Sequence, residues 1–144
     1  MTKVVINGCF GGFSLSKEGM KRYCEIKNIP HWIEDDKQFK SMGLFTCWIV
    51  PENERIESKS AEQFYAMDMD ARQEYNITYS QQYISCHEIP RDDEALVQLV
   101  EENAELASGR CADLRVVEIP DDVQWEIEEY DGSEHIAEVH RTWR

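Results

Sequence analysis

The sequence has no long apolar run and no positively charged segment followed by an apolar stretch. We therefore expect neither a membrane-spanning helix nor a secretory signal peptide. The five cysteines are scattered at positions 9, 24, 47, 86 and 111, and none belongs to a Cys-x-x-Cys pair. This spacing excludes a zinc ribbon and a thioredoxin-type motif, and it predicts reduced thiols in a cytoplasmic protein. The four histidines lack metal-ligand spacing, so no metal and no cofactor is predicted.

Basic residues are scarce in the C-terminal part of the chain. Residues 1–87 hold 12 acidic and 10 basic side chains, whereas residues 88–144 hold 17 acidic and 5 basic ones. The net charge of −14 therefore lies almost wholly in the C-terminal part. Such a field repels nucleic acids and anionic membranes and attracts basic protein surfaces. The alternative is that the charge only keeps a small protein soluble and monomeric. We expect no direct binding to nucleic acid or membrane.

The composition is that of a folded globule. Of the 144 residues, 42% are hydrophobic and 10% aromatic, and this length is enough to bury a core without disulfides. We predict a single globular domain over residues 1–144. The predicted fold class is α+β (or α/β), with a mixed β-sheet, two to three helices and a C-terminal antiparallel β-hairpin.

The N-terminal segment carries the strongest local signals. Residues 4–6 are continuously apolar and predict a strand covered on both faces. Ser16 is a good helix N-cap, Leu15 can staple onto Met20, and Asn28 ends the helix. We interpret this strand, loop and helix as the first half of a βαβ unit.

The other elements follow from local pattern as well. We predict a surface connection at 31–42, a strand at 44–50, loop at 52–60, a helix at about 60–80 capped by Asp68 or Asp70, and a short extended segment at 83–89. The clearest helix is capped by Asp92 or Asp93 and ends at Gly109. A strand at 114–119 and an alternating strand at 123–128 precede Asp131-Gly132, a hairpin turn signal before a partner strand at 134–142.

The glycine-rich loop is the first candidate site. Backbone N–H groups that lead into a helix N-terminus favour an anion, and Phe10 and Phe13 could stack on a base or anchor the loop. The predicted ligand-binding residues are Asn7, Gly8, Cys9, Phe10, Gly11, Gly12, Phe13, Ser14 and Ser16. The loop matches neither a P-loop nor Gly-x-Gly-x-x-Gly, so a tight structural turn is the alternative.

The acidic hairpin is the second candidate site. The alternating strand places Glu126 and Glu128 on one face, with Glu134 and Glu138 close by in the partner strand. A row of exposed carboxylates can imitate phosphates, as a DNA-mimicking inhibitor would, and it predicts a basic protein partner. Charges that protect a solvated edge strand are the alternative. Candidates for ion pairs or for binding an anion are the arginines of this part: Arg91, Arg110, Arg115, Arg141 and Arg144.

Two cysteines raise the hypothesis of an enzyme. Cys9 lies before a helix N-terminus, where a thiolate is favoured, and Cys86 is followed by His87. Neighbouring residues of a strand point to opposite faces, so Cys86 and His87 need not form a nucleophile and base. Packed thiols are the alternative, and we lean towards a protein without catalytic activity.

Three segments resemble a family of small, mostly uncharacterised proteins of bacteriophages and prophages. They are VVINGCFGGFSLS at 4–16, IPRDDEALV at 89–97, and EIPDDVQWEIEEYDG at 118–132 with HRTW at 140–143. Relatives tend to carry Tyr at the position of Phe10 and Gly at that of Ser14. The resemblance implies an accessory protein in the cytosol of an infected bacterium, and it supplies no catalytic residue.

The leading hypothesis is a non-catalytic phage accessory protein that counters host defence by binding. In its favoured version the glycine-rich loop sequesters a nucleotide-derived signal. The alternatives are an acidic protein-interaction inhibitor that acts through the C-terminal hairpin as a DNA mimic, and a small enzyme with a cysteine nucleophile. The expected partner is a nucleotide-like small molecule or a basic host protein.

Overall fold

The computed structural model describes residues 1–37, 43–140 and 143. The chain forms two compact units, a first unit of Met1–Asn28 with Cys86–Arg144 and an inserted unit of Ile29–Ser85. The inserted unit therefore interrupts the first unit in sequence. The single domain over 1–144 stays a prediction.

Helices and antiparallel strands make up both units. In chain order the elements are β1 (Thr2–Asn7), α1 (Lys17–Lys27), β2 (Trp32–Asp35), β3 (Phe45–Trp48), α2 (Ala61–Tyr65), α3 (Met69–Ser80), β4 (Tyr83–Ile84), α4 (Glu94–Ala107), β5 (Leu114–Ile119), β6 (Trp125–Tyr130) and β7 (Ser133–Glu138). The α+β class and the C-terminal hairpin are confirmed. The expected mixed sheet resolves, in the described residues, into three antiparallel sheets: β1-β5, β2-β3-β4 and β6-β7.

Strand β1 is the most deeply buried strand of the first unit. Val4, Val5, Ile6 and Asn7 are all buried, so both of its faces are covered, as the apolar run predicts. Its partner is β5, in an antiparallel register that pairs Asn7 with Leu114. The βαβ interpretation is therefore wrong, because the chain returns beside β1 from far downstream and in the opposite direction.

Helix α1 begins and ends where its capping residues predict. The Gly19 amide donates to the Ser16 hydroxyl at 2.9 Å, and Asn28 adopts the left-handed conformation at the C-terminus. Met20 and Cys24 are buried on its inner face. The helix packs against α4.

Helix α4 is capped by Asp93, whose carboxylate accepts hydrogen bonds from the Ala95 and Leu96 amides at 2.9 and 3.2 Å. Lys27 of α1 lies 2.8 Å from the same carboxylate. Burial would raise the pKa of Asp93, but the hydrogen bonds from Lys27 and the backbone lower it overall. The helix is kinked at Asn103, where the backbone leaves helical geometry, and it ends two residues before Gly109.

The inserted unit differs from its prediction in two places. Strand β2 lies within the predicted surface connection 31–42, of which residues 38–42 are outside the described part. The predicted helix at 60–80 is two helices. Ser60 forms a capping box with Gln63 at the beginning of α2, and Asp68 is the N-cap of α3. The strand predicted at 44–50 is confirmed over Phe45–Trp48 as β3.

The C-terminal hairpin turns at Asp131 and Gly132, both with positive φ, as the Asp-Gly signal predicts. Strand β7 begins at Ser133 and ends at Glu138. The last residues of its predicted range, Arg141 and Thr142, lie outside the described residues. Within the described ranges, none of the helices combines the length and the apolar character that crossing a membrane requires.

Candidate functional site

Asn7 holds the glycine-rich loop in place. Its Nδ2 group donates to the carbonyl oxygens of Cys9 and Gly132 at 2.7 and 2.8 Å. Its Oδ1 atom accepts from the Cys9 and Asp113 amides at 3.2 and 2.8 Å. Both donor hydrogens and both acceptor sites of this buried side chain are therefore used within the protein. Asn7 joins the loop to two other loops and has no hydrogen-bonding capacity left for a ligand.

Further amides of the loop also donate to the protein. The Gly8 amide donates to Asp113 at 2.8 Å and the Gly11 amide to Asp131 at 3.2 Å, in each case to the carbonyl oxygen. The Ser16 amide donates to the Ala107 carbonyl at 2.9 Å. These N–H groups were predicted to face an anion. They tie the loop to its neighbours instead, as the structural-turn alternative expects.

The three loops meet at what we call the loop apex: Cys9–Gly12, Arg110–Asp113 and Tyr130–Gly132. A Cβ atom on Gly132 would lie 2.3 Å from the Gly12 nitrogen and 2.7 Å from the Gly11 nitrogen. A Cβ atom on Gly11 would lie 2.6 Å from that of Cys111. Only glycine allows backbones to approach this closely, which explains Gly11 and Gly132.

The two phenylalanines of the loop have different environments. Phe13 is 5% exposed and packs under Arg91, whose guanidinium carbon is 3.6 Å from the centre of the ring. Phe10 is 61% exposed. Cys9 is exposed, and Ser14 is half-buried. Phe13 is therefore an anchor of the core, and Phe10 is left at the surface.

Arg91 and Glu134 close the open edge of β1, and we call them the edge clamp. The Val5 amide donates to the Arg91 carbonyl at 2.8 Å, and the Asn7 amide donates to Glu134 Oε1 at 2.8 Å. The Arg91 guanidinium donates to both carboxylate oxygens of Glu134, at 2.7 and 2.9 Å. The Arg91 carbonyl and the Glu134 carboxylate thus occupy the position that a neighbouring strand would take.

The hydrogen bonds of the edge clamp keep Glu134 ionised. Burial would raise the pKa of this carboxyl group, but the hydrogen bonds from Arg91 and the Asn7 amide outweigh it, so the pKa lies below its usual value. Glu134 is therefore a charged structural residue.

The burial of Glu134 corrects the predicted carboxylate row. The two-residue turn places Glu134 opposite Glu129, which puts it on the same hairpin face as Trp125, Ile127 and Glu138. This is the inner face, on which Trp125 and Ile127 are half-buried and Glu138 is exposed. Glu134 and Glu138 thus lie on the opposite face from Glu126 and Glu128. The register, which follows from the turn type, could have shown this from the sequence.

The outer face of the hairpin carries Glu126, Glu128 and Tyr130, all exposed. His135 lies opposite Glu128, with 3.0 Å between Nε2 and Oε2. We call Glu126, Glu128 and Tyr130 the outer row. It consists of two carboxylates that lead to an aromatic side chain at the loop apex.

The remaining candidate residues lie in various surroundings. Cys86 is half-buried in a short 3-10 turn, Cys86–Glu88, and the His87 ring packs edge-on against Phe13 at 6.4 Å between centroids. Arg115 pairs with Asp113 at 2.9 Å, and Arg110 belongs to the loop apex. Arg141 and Arg144 are outside the described residues. In the part of the chain that the structure describes, no group of three His, Cys, Asp or Glu side chains could hold a metal.

A shallow groove of about 610 Å³ beside β1 and α4 has no counterpart in the sequence patterns. Two carboxylates of its acidic wall are compensated by cations of the chain, since Lys3 pairs with Glu101 at 2.8 Å and Arg22 with Glu102 at 2.9 Å. Hydrogen bonds from Arg22 and Gln98 lower the pKa of Glu102 to about 2. Asp92 and Glu94 line the groove as well, so its wall stays acidic after these two ion pairs are counted.

No protein-family model, curated protein or solved structure matches this chain. The likeness to phage proteins noted in the sequence stays a prediction. The function must therefore be inferred from the geometry of the loop apex and the hairpin.

Proposed function

We propose that this protein is a non-catalytic binding protein whose acidic hairpin docks on a basic protein partner and blocks it. The observation that carries the proposal is the contrast between the two faces of the hairpin. The inner face is held to β1 through the buried Glu134, whereas the outer row exposes Glu126 and Glu128. A docking surface on such a support loses little conformational entropy on binding.

The distribution of charge supports the same function. Residues 88–144 have a net charge of −12 by residue type, and this segment contains the whole hairpin. A surface of one sign raises the rate of encounter with a partner of the opposite sign and repels partners of the same sign. The partner that fits is a protein with a basic surface.

In the setting that the phage resemblance implies, the partner is a host protein that itself binds nucleic acid. Such proteins present basic surfaces to the phosphate backbone. The chain would act in the bacterial cytosol, as a counter-defence protein that occupies this surface. The outer row holds two carboxylates, which is too few to imitate the phosphates of a whole DNA duplex. The proposal therefore requires only that a short acidic surface meets a basic one.

The nucleotide-sequestering version has less support, because the amides of Gly8, Cys9 and Gly11 donate to protein oxygens. A thermal-shift panel of cyclic and linear nucleotides tests it directly. A nucleotide at 100 times its Kd would stabilise the protein by about 2.7 kcal/mol, which is a readily measured shift. We expect no shift, and a clear one would favour a nucleotide site over the acidic surface.

Charge reversal tests the docking proposal. The double variant Glu126→Lys/Glu128→Lys is compared with the wild type and with Glu62→Lys/Glu74→Lys, which reverses two exposed carboxylates of the inserted unit. Each immobilised protein is exposed to bacterial lysate, and captured proteins are identified by mass spectrometry. We expect the wild type and the control to retain the same basic protein, with binding that weakens as salt rises, and the double variant to lose it. Equal capture by all three proteins would contradict the proposal.

A further inference from the structure

We propose that the loop apex is the anchoring part of this docking surface, and that Phe10 and Tyr130 enter apolar pockets on the basic partner. This inference rests on the proposed function and adds the part of the interface that supplies most of the binding energy. It also specifies the partner more narrowly, as a protein with a basic surface next to an apolar depression.

Exposure is the first reason. Phe10 is 61% and Tyr130 78% exposed, although the neighbouring Phe13 shows that the same loop can bury an aromatic ring. The two residues lie at one junction, since Gly11 and Asp131, their neighbours in sequence, are joined by a backbone hydrogen bond of 3.2 Å. Aromatic side chains are enriched in protein interfaces, and Tyr is among the residues whose truncation weakens binding most.

The rigidity of the apex is the second reason. Phe10 lies between Cys9, whose carbonyl accepts from Asn7 at 2.7 Å, and Gly11, whose amide donates to Asp131. Gly132 packs directly against the backbone of the glycine-rich loop. Hydrogen bonds on both sides of an exposed ring fix its backbone before the partner arrives, which lowers the entropic cost of binding.

The continuity of charge and aromatic surface is the third reason. Tyr130 is the end of the outer row, and alternate residues on one strand face are about 6.6 Å apart. Glu126 and Glu128 thus lead directly to Tyr130. Acidic side chains around an aromatic anchor match a partner whose apolar pocket is bordered by Lys and Arg. A nucleic acid or an anionic membrane would be repelled by the same row.

Photo-crosslinking from the apex identifies what it touches. The protein carries p-benzoyl-phenylalanine in place of Phe10, of Tyr130, or of Tyr65, a control that is 69% exposed in the inserted unit. Each is irradiated in bacterial lysate. We expect positions 10 and 130 to capture the same basic protein and position 65 not to capture it. Capture of a second copy of this chain, of different proteins at the two positions, or of nothing would overturn the inference.

Affinity measurements with the captured protein then separate the two proposals. We expect Phe10→Ala and Tyr130→Ala each to weaken the Kd about tenfold or more with little change in its salt dependence, and Tyr65→Ala to leave it unchanged. Glu126→Lys/Glu128→Lys should weaken binding and reduce the salt dependence. Unchanged Kd values for both aromatic variants, with loss on charge reversal, would refute the anchors and leave the proposed function standing. If only the aromatic variants weakened binding, the proposed docking through the acidic surface would be refuted.

Discussion

Arg91 and Glu134 are 43 residues apart in sequence and share two hydrogen bonds, of 2.7 and 2.9 Å. With the Arg91 carbonyl, they satisfy the amides of Val5 and Asn7 on the open edge of β1. An unpaired strand edge is a site of aggregation, and buried amides without partners destabilise a fold. The pair therefore links the segment before α4, the terminal hairpin and the first strand into one structure.

Removing the charge of Glu134 should destabilise the protein markedly. In Glu134→Gln the Arg91 guanidinium keeps its partly buried charge but loses the carboxylate. We expect a loss of about 2–4 kcal/mol in the free energy of unfolding, measured by urea denaturation followed by circular dichroism. The control is Glu138→Gln, on the same hairpin face but exposed, which should change it by less than about 0.5 kcal/mol. Equal effects of the two substitutions would show that the edge clamp contributes little.

The contribution of Glu134 should also depend on pH in a definite direction. Its pKa is lower in the folded than in the unfolded protein, where it is about 4.3. The stabilisation is therefore fully present above about pH 5 and is lost as pH falls through the folded-state pKa. We expect the difference in unfolding free energy between the wild type and Glu134→Gln to be constant from about pH 5 to 7 and to shrink towards about pH 3. A difference that grows on acidification would contradict the assigned ionisation. The pKa of Asp93 is lowered as well, and its contribution to the pH dependence is the same in both proteins. It therefore cancels when the wild type is compared with Glu134→Gln.

Substitutions at two glycines can distinguish the cost of a steric collision at the loop apex from the cost of a positive φ angle. Gly132 and Gly12 both have positive φ, 89° and 94°, but only at Gly132 would a Cβ atom collide with a backbone. Gly12→Ala should lose about 1 kcal/mol because of its φ angle alone. We expect Gly132→Ala to lose at least about 2 kcal/mol more, and hydrogen exchange at the Gly11 amide to become faster. Similar losses in both variants would mean that the two loops are not in contact.

The thiols report on the two units separately. Cys9 and Cys111 are exposed, whereas Cys24 in the first unit and Cys47 in the inserted unit are buried. We expect a maleimide reagent to modify Cys9 and Cys111 rapidly in the native protein. Cys24 and Cys47 should react about a thousandfold more slowly, because each must wait for an opening of its unit. Mass spectrometry of peptides from a time course measures all four rates, and fast labelling of Cys24 would contradict the packing of α1 on α4.

The fold was predictable where its signals are local. Ser16 and Asn28 bound α1, Asp93 caps α4, and the turn at Asp131-Gly132 defines the hairpin, all by interactions within a few residues. The antiparallel partner of β1 was not predictable in this way, because an apolar run carries no information about strand direction. Strand β2 was missed as well, because it is only four residues long and half acidic, and it acquires strand structure from pairing with β3.

The candidate site was predictable in location more than in role. The glycine-rich loop and the hairpin were both selected from the sequence, and the structure brings them into contact through Asn7 and Gly132. What the sequence pattern did not reveal is that Glu134 faces inward. Acidic residues are usually exposed, and this one is buried because Arg91, distant in sequence, neutralises it.

The location of Glu134 has a consequence for how the protein is made. The Asn7 amide precedes its carboxylate partner by 127 residues. At a synthesis rate of about 5–20 residues per second, the ribosome needs roughly 6 to 25 seconds to reach that partner after it has made β1. During this interval the inserted unit is synthesised while β1 has neither β5 nor Glu134 beside it. Completion of the first unit is therefore a late event that waits until Glu134 has been made, and a stop codon before Glu134 would leave this edge of the apolar strand β1 open to aggregation or to chaperones.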